Sequence, residues 1–146
     1  MKQKLYCITL GCKMAYSLKG IKRMLTKRFT KDEIALTLEQ YFVLNILDNE
    51  EGLILKELAE IVDRDKSAVL RHIDGLEEKH FVARATDPKD KRRKILLVTK
   101  QGMNELQKAR EMDQKVHSEL TESIDNDKLK EFESLLTEIY ERAMSD

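Results

Sequence analysis

Met14, Leu18, Ile21 and Leu25 recur at spacings of four, three and four residues, the period of one face of an α-helix. Cys7 and Gly11 continue the stripe backwards, so the pattern predicts a first helix from about Leu5 to Phe29. Thr37, with Gln40 three residues on, has the form of a capping box and opens a second helix to about Leu47, with Tyr41, Leu44 and Leu47 on its apolar face. Asp48 to Gly52 reads as a turn, and Leu53-Ile54-Leu55 as a short apolar segment. Two short helices follow, Lys56 to Val62 and about Asp65 to Lys79, the latter burying Val69, Ile73 and Leu76. The period then shortens. Phe81 to Thr86 and Lys94 to Thr99 read as strands of a hairpin whose exposed loop runs from Asp87 to Arg93. Pro88 cannot extend a ladder, so the first strand must stop before it. From Met103 to about Ile124 no Gly or Pro interrupts a long helix, with Thr99 as its candidate N-cap. Asn126 or Asp127 caps a last helix that carries Leu129, Phe132, Leu136, Ile139 and Ala143.

These elements predict a mostly α fold with a small β-hairpin (α+β), at a length of 146 residues that suits one small domain with helical extensions. No run approaches 18 uncharged apolar residues, so no membrane helix is expected, and the Tyr6 to Leu10 run is too short for a signal peptide. A cytoplasmic protein is the expectation. The formal net charge of zero speaks against a nucleic-acid partner until it is resolved along the chain. Residues 1–31 hold nine basic residues and no acid, and residues 32–63 one basic residue and nine acids. Residues 64–94 hold ten basic and six acidic residues, and 95–146 seven and twelve. The blocks sum to zero only by cancellation, and such asymmetry points to a polyanion or partner surface.

Helix, tight turn, helix and a hairpin with a basic loop is the order of a winged helix-turn-helix. The second helix of such a pair fits the major groove and presents its N-terminal residues to base edges. The candidate recognition set is Lys66, Ser67, Ala68, Leu70 and Arg71. Arg71 has the fork for a bidentate guanine contact, Ser67 suits a phosphate or base, and Leu70 suits a thymine methyl. The candidate wing set is Lys89, Asp90, Lys91, Arg92 and Arg93, where long cations suit the negative potential of the minor groove.

Leu58-Ala59, Lys66-Ser67-Ala68-Val69, Leu76-Glu77-Glu78-Lys79, Asp87-Pro88-Lys89-Asp90-Lys91-Arg92 and Leu97-Val98-Thr99-Lys100-Gln101-Gly102 form an ordered set. Over residues 53–102 this set resembles the MarR family, the multiple antibiotic resistance regulators. The resemblance implies a DNA-binding transcriptional regulator, a repressor acting as a homodimer on a palindromic operator. It implies that Asp90 braces the wing and that Arg92 enters the minor groove. It also implies a small aromatic or anionic effector, bound between the dimer helices and the winged module. On this basis residues 1–36 and 101–146 are the dimerisation helices and 37–100 the DNA-binding domain. The alternative is a winged-helix protein-interaction module without DNA reading. Two departures from the family pattern stand out: His80 occupies a position usually held by Gly, and Gly75 lies inside the recognition helix.

Some members of the family sense oxidants through a cysteine, which makes Cys12 a candidate redox sensor. Residues five apart on one helix have Cα atoms about 8–9 Å apart, beyond the roughly 7 Å that a disulfide allows. A Cys7–Cys12 bridge is therefore not expected on a helix beginning at Leu5. His72, His80 and His117 lack metal-ligand spacing, and no phosphate loop, nucleophile elbow or HExxH pattern occurs. No enzyme activity, no cofactor and no metal are expected.

Overall fold

The computed structural model describes residues 6–145. Among them are the helices α1 (Leu10–Lys31), α2 (Leu38–Asn49), α3 (Leu55–Ile61) and α4 (Lys66–Glu78), the strands β1 (Val82–Thr86) and β2 (Lys94–Val98), and the helices α5 (Lys100–Thr121) and α6 (Asn126–Met144). They fall into two compact units divided after Asp113, a boundary that lies within α5.

In the first unit, α2 is set by its start. Thr37 Oγ1 accepts the Gln40 amide and Gln40 Oε1 accepts the Thr37 amide, satisfying two donors that a helix N-terminus leaves open. Leu44, Leu58, Val69, Ile73 and Leu76 of α2, α3 and α4 are almost fully buried. β1 and β2 pair antiparallel, with Val82 opposite Val98 and Thr86 opposite Lys94. A bridge between Ile54 and Ile95, with the Leu96 amide on Leu53 O at 2.8 Å, adds the Leu53-Ile54-Leu55 segment to the far edge of β2. The wing is thereby joined to the chain entering α3.

Two glycines permit close approach. A Cβ on Gly102 would stand 2.1 Å from Phe81 O, so only glycine lets the first turn of α5 pass the start of β1. A Cβ on Gly75 would meet Gln40 Nε2 at 2.9 Å, so the Gln40 amide would have to shift to admit a side chain there. His80 stands at φ +60°, the left-handed position that ends α4. Its carbonyl accepts the Thr99 hydroxyl at 2.6 Å.

Three expectations are corrected. Leu5 lies outside the described residues, and α1 begins at Leu10 with Thr9 as its N-cap, whose Oγ1 accepts the Cys12 amide. Cys7 therefore precedes the helix rather than riding on it. The disfavoured Cys7–Cys12 disulfide is present, with Cα atoms 5.6 Å apart: Cys7 lies before the Thr9 cap, so the fixed spacing of residues on one helix does not hold between the two cysteines. The last helix is capped by Asp125, not by Asn126 or Asp127, its carboxylate accepting both the Asp127 and the Lys128 amides. No described helix is long and apolar enough to cross a membrane.

Large apolar side chains stay exposed on both outer helices within the chain. On α1 these are Leu10, Tyr16, Leu18 and Ile21; on α6 they are Phe132, Leu135, Tyr140 and Met144. The apolar stripe that the sequence gives α6 has no buried member.

Candidate nucleic-acid interface

Asp65 is the N-cap residue of α4, and its carboxylate accepts the Ser67 hydroxyl. That hydrogen bond, aided by the nearby Arg71 charge, holds the Asp65 carboxyl below the usual range. Val69, Ile73 and Leu76 pin one face of α4 to the core, leaving Lys66, Ser67 and Arg71 exposed, with Ala68 and Leu70 half-buried beside them. Five residues of the predicted recognition set thus lie on the first two turns of one helix, as helix geometry requires of residues within six positions.

The wing loop is shaped by its own aspartates. Asp87 Oδ1 accepts the Lys89 amide at 2.8 Å and Asp90 Oδ1 the Arg92 amide at 2.9 Å. The Asp87 amide on Arg93 O at 3.0 Å closes the loop. Asp90 braces the wing through the backbone of Arg92, which leaves the guanidinium of Arg92 exposed.

The cations of this region fall into two groups. Arg84 of β1 reaches Asp74 at 2.9 Å and Glu77 at 3.2 Å on α4, tying the hairpin to that helix. Arg93 lies 3.0 Å from Glu57 on α3, and its Nε is 3.6 Å from Asp87, within ion-pair range but too far to hydrogen-bond. Lys94 Nζ bonds Thr86 Oγ1, and Lys79 Nζ bonds Ala35 O and Gln40 Oε1. By contrast, the side chains of Lys66, Arg71, Lys89, Lys91 and Arg92 make no hydrogen bond or ion pair among the described residues.

Arg93, grouped from the sequence with the wing contacts, is therefore committed to a bridge between wing and α3. The Ile54 amide on Glu57 Oε2 at 3.0 Å keeps that carboxyl below the usual range, and Arg93 adds to the effect. The sequence reading gave no pairing role to Glu57, Arg84, Asp74, which it placed only on the exposed face of the second short helix, or Glu77, which it named only within the family pattern. Only Glu57 carried a signal, as an acid three residues inside a helix start.

A separate cleft of about 460 Å³ lies between α1 and the start of α2. Phe29, Ile34, Leu36 and Leu38 give it apolar walls, while Lys22 and Arg23 bring positive charge to its lining. Further along α2, the Tyr41 hydroxyl donates to Asp113 at 2.7 Å. Burial, and then this carboxylate, push the Tyr41 phenol up to about 12.

The MarR family pattern matches residues 36–94, the span from the end of the α1–α2 loop to the start of β2. The HTH-type transcriptional regulator SarT of Staphylococcus aureus is 30% identical over 91 residues, covering 57% of this chain and 77% of SarT. A transcriptional regulatory protein named for the hcr operon of Thauera aromatica is 36% identical over 66 residues, which cover 45% of this chain and only 40% of that protein. The crystal structure of apo MarR from E. coli superposes with a TM-score of 0.77 at 25% identity, covering 91% of this chain and 98% of that one. Pattern, relatives and fold agree: the chain belongs to the MarR family and is a winged-helix transcriptional regulator, not an enzyme.

Proposed function

We propose that the chain binds palindromic double-stranded operator DNA as a twofold homodimer and acts as a ligand-responsive repressor. Residues 37–100 are the DNA-reading domain in this proposal, and 1–36 and 101–146 the dimerisation helices. Lys66, Ser67, Ala68, Leu70 and Arg71 meet the major groove, while Lys89, Lys91 and Arg92 reach the minor groove and backbone, and Asp90 and Arg93 hold the wing in shape. The observation that carries this reading is the sorting of cations: Arg84 and Arg93 are ion-paired to acids on other helices, whereas Lys66, Lys89, Lys91 and Arg92 on the α4 start and the wing tip make no ion pair among the described residues, and Arg71 has only the nearby charge of Asp65. Unpaired exposed cations on two adjoining elements are the electrostatic footprint of a phosphate backbone.

The exposed apolar side chains of α1 and α6 support dimerisation, since a second copy packed on them would remove them from water. Two recognition helices about 34 Å apart would then meet successive major grooves. The α1–α2 cleft suits a small aromatic anion, with a ring against Phe29 and Ile34 and a carboxylate toward Lys22 or Arg23. Cys12, with Cys7 as its partner thiol, is the proposed oxidant-responsive position. The proposed compartment is the cytoplasm, where the DNA partner resides.

Selection of random duplex oligonucleotides on the full chain tests the proposal. Enrichment of a palindrome is the expected result. Recovery of no enriched sequence would overturn it in favour of a protein-interaction module.

A further inference from the structure

The recognition helix has a second anchored end, and it lies opposite the reading end. Gly75 and Lys79 are four residues apart on α4 and its C-cap, and so share a face. Both meet the stretch that runs from the α1–α2 connection into the first turn of α2. Gly75 abuts the buried Gln40 side chain, and Lys79 Nζ donates to Gln40 Oε1 and to Ala35 O, each at 2.9 Å. Gln40 Oε1 also accepts the Thr37 amide, so the same side chain caps α2 and receives α4. On its other side, the Ala35 amide donates to the buried Glu105 of α5 at 2.6 Å, and Glu105 pairs with Lys108. The Ala35–Gln40 segment is thus gripped by α4 through Lys79 and by α5 through Glu105. Ile34, Leu36, Thr37 and Leu38 of the same stretch line the α1–α2 cleft.

We propose that Lys79 is a positioning residue for operator reading: its clamp on Ala35 and Gln40 sets the angle at which α4 presents Lys66, Ser67 and Arg71. This rests on the DNA-reading function proposed above. The geometry gives the clamp leverage. A helix of 13 residues is about 20 Å long, so a tilt of about 6° at its C-terminal turn displaces the reading end by about 2 Å. Productive contacts tolerate only about 0.5 Å. Hydrogen bonds from an ammonium are charge-assisted, and two from one head fix both a distance and a direction. Because the clamped segment also forms a cleft wall, a ligand that shifts residues 34–38 acts on α4 through the same two bonds.

The test compares Lys79→Met, which keeps the aliphatic stem and loses the donors, with Lys79→Arg, Gln40→Met and the Lys79→Met/Gln40→Met double variant. Thermal melts followed by circular dichroism establish that each is folded at the assay temperature; Gln40→Glu, which retains the cap and an acceptor, stands in if Gln40→Met is not. Expected for Lys79→Met is about a tenfold loss of operator affinity, with non-specific duplex affinity and the salt slope unchanged. Lys79→Arg should restore part of the loss. The double variant should lose no more than Lys79→Met alone; with Gln40→Glu in use, that single variant should instead keep near wild-type affinity. A salt slope shallower by about 1.8 per dimer would make Lys79 a phosphate contact and overturn the proposal.

Hydrogen exchange on the full chain without DNA gives an independent readout. Peptides spanning 35–41 and 75–81 should exchange about tenfold faster in Lys79→Met, and unchanged exchange in both would overturn the clamp. If the wild-type chain selects no palindrome, the DNA-reading proposal fails, while the exchange experiment still decides the clamp.

Discussion

Arg92 and Arg93 are adjacent in the wing, yet the structure gives them opposite work, and a paired substitution separates the two roles. Arg92 is exposed with its guanidinium unengaged, so Arg92→Ala removes no intramolecular contact and should leave stability within about 0.5 kcal/mol of wild type. Arg93 is 38% exposed and lies against Glu57 and Asp87. Ion pairs this open to solvent contribute about 0.2–1 kcal/mol each, so Arg93→Ala should destabilise by about 1 kcal/mol. On DNA the order reverses. If a dimer neutralises about eight phosphates, log affinity falls with log salt at a slope near −7. Removing one Arg92 contact from each protomer brings the slope to about −5.4, whereas Arg93→Ala should leave it near −7. Fluorescence anisotropy of a labelled operator across a salt series measures the slopes, and urea unfolding measures the stabilities. An unchanged slope for Arg92→Ala, or a flattened slope with full stability for Arg93→Ala, would refute the division.

Other outcomes follow from single contacts. Because the Tyr41 phenol is raised to about 12 in the fold against about 10 when unfolded, its contribution is fully present below pH 10 and is lost as pH rises toward 12. Tyr41→Phe should therefore lose less stability than wild type over that window in pH-dependent urea melts; parallel curves would contradict the buried Tyr41–Asp113 bond. His80→Gly should stabilise by about 0.5–1 kcal/mol in urea unfolding, since glycine adopts φ +60° without the Cβ penalty but gives back some chain entropy. A net loss would show that the His80 side chain makes a contact worth more than the strain. Gly102→Ala should cost at least about 2 kcal/mol, since its Cβ would stand 2.1 Å from a backbone carbonyl that cannot swing away. A neutral melting shift would mean that α5 does not pass β1 this closely.

Helix order, the Thr37–Gln40 capping box and the hairpin were legible because each depends on residues within a few positions of one another. The start of α1 was not, because the apolar stripe through Cys7 and Gly11 is equally compatible with a helix that Thr9 interrupts. Asp125 was passed over as the α6 cap in favour of its neighbours, since three consecutive Asp or Asn residues are equivalent caps until one adopts the extended conformation. That Lys66, Ser67, Ala68, Leu70 and Arg71 lie together on the first two turns of one helix was legible. The paired state of Arg93, by contrast, depends on Glu57, thirty-six residues away.

The sequence by itself determined the winged architecture and the concentration of positive charge in residues 64–94, because hydrophobic period, turn residues and local charge are properties of neighbouring positions. The tertiary structure decided which of those charges remain free. Arg84, Arg93 and Lys79 each find partners on another element, while Lys66, Arg71, Lys89, Lys91 and Arg92 do not. Pairing across elements is fixed only when the chain folds, and it separates cations that tie the hairpin and α4 to their neighbours from those left without an ion-pair partner.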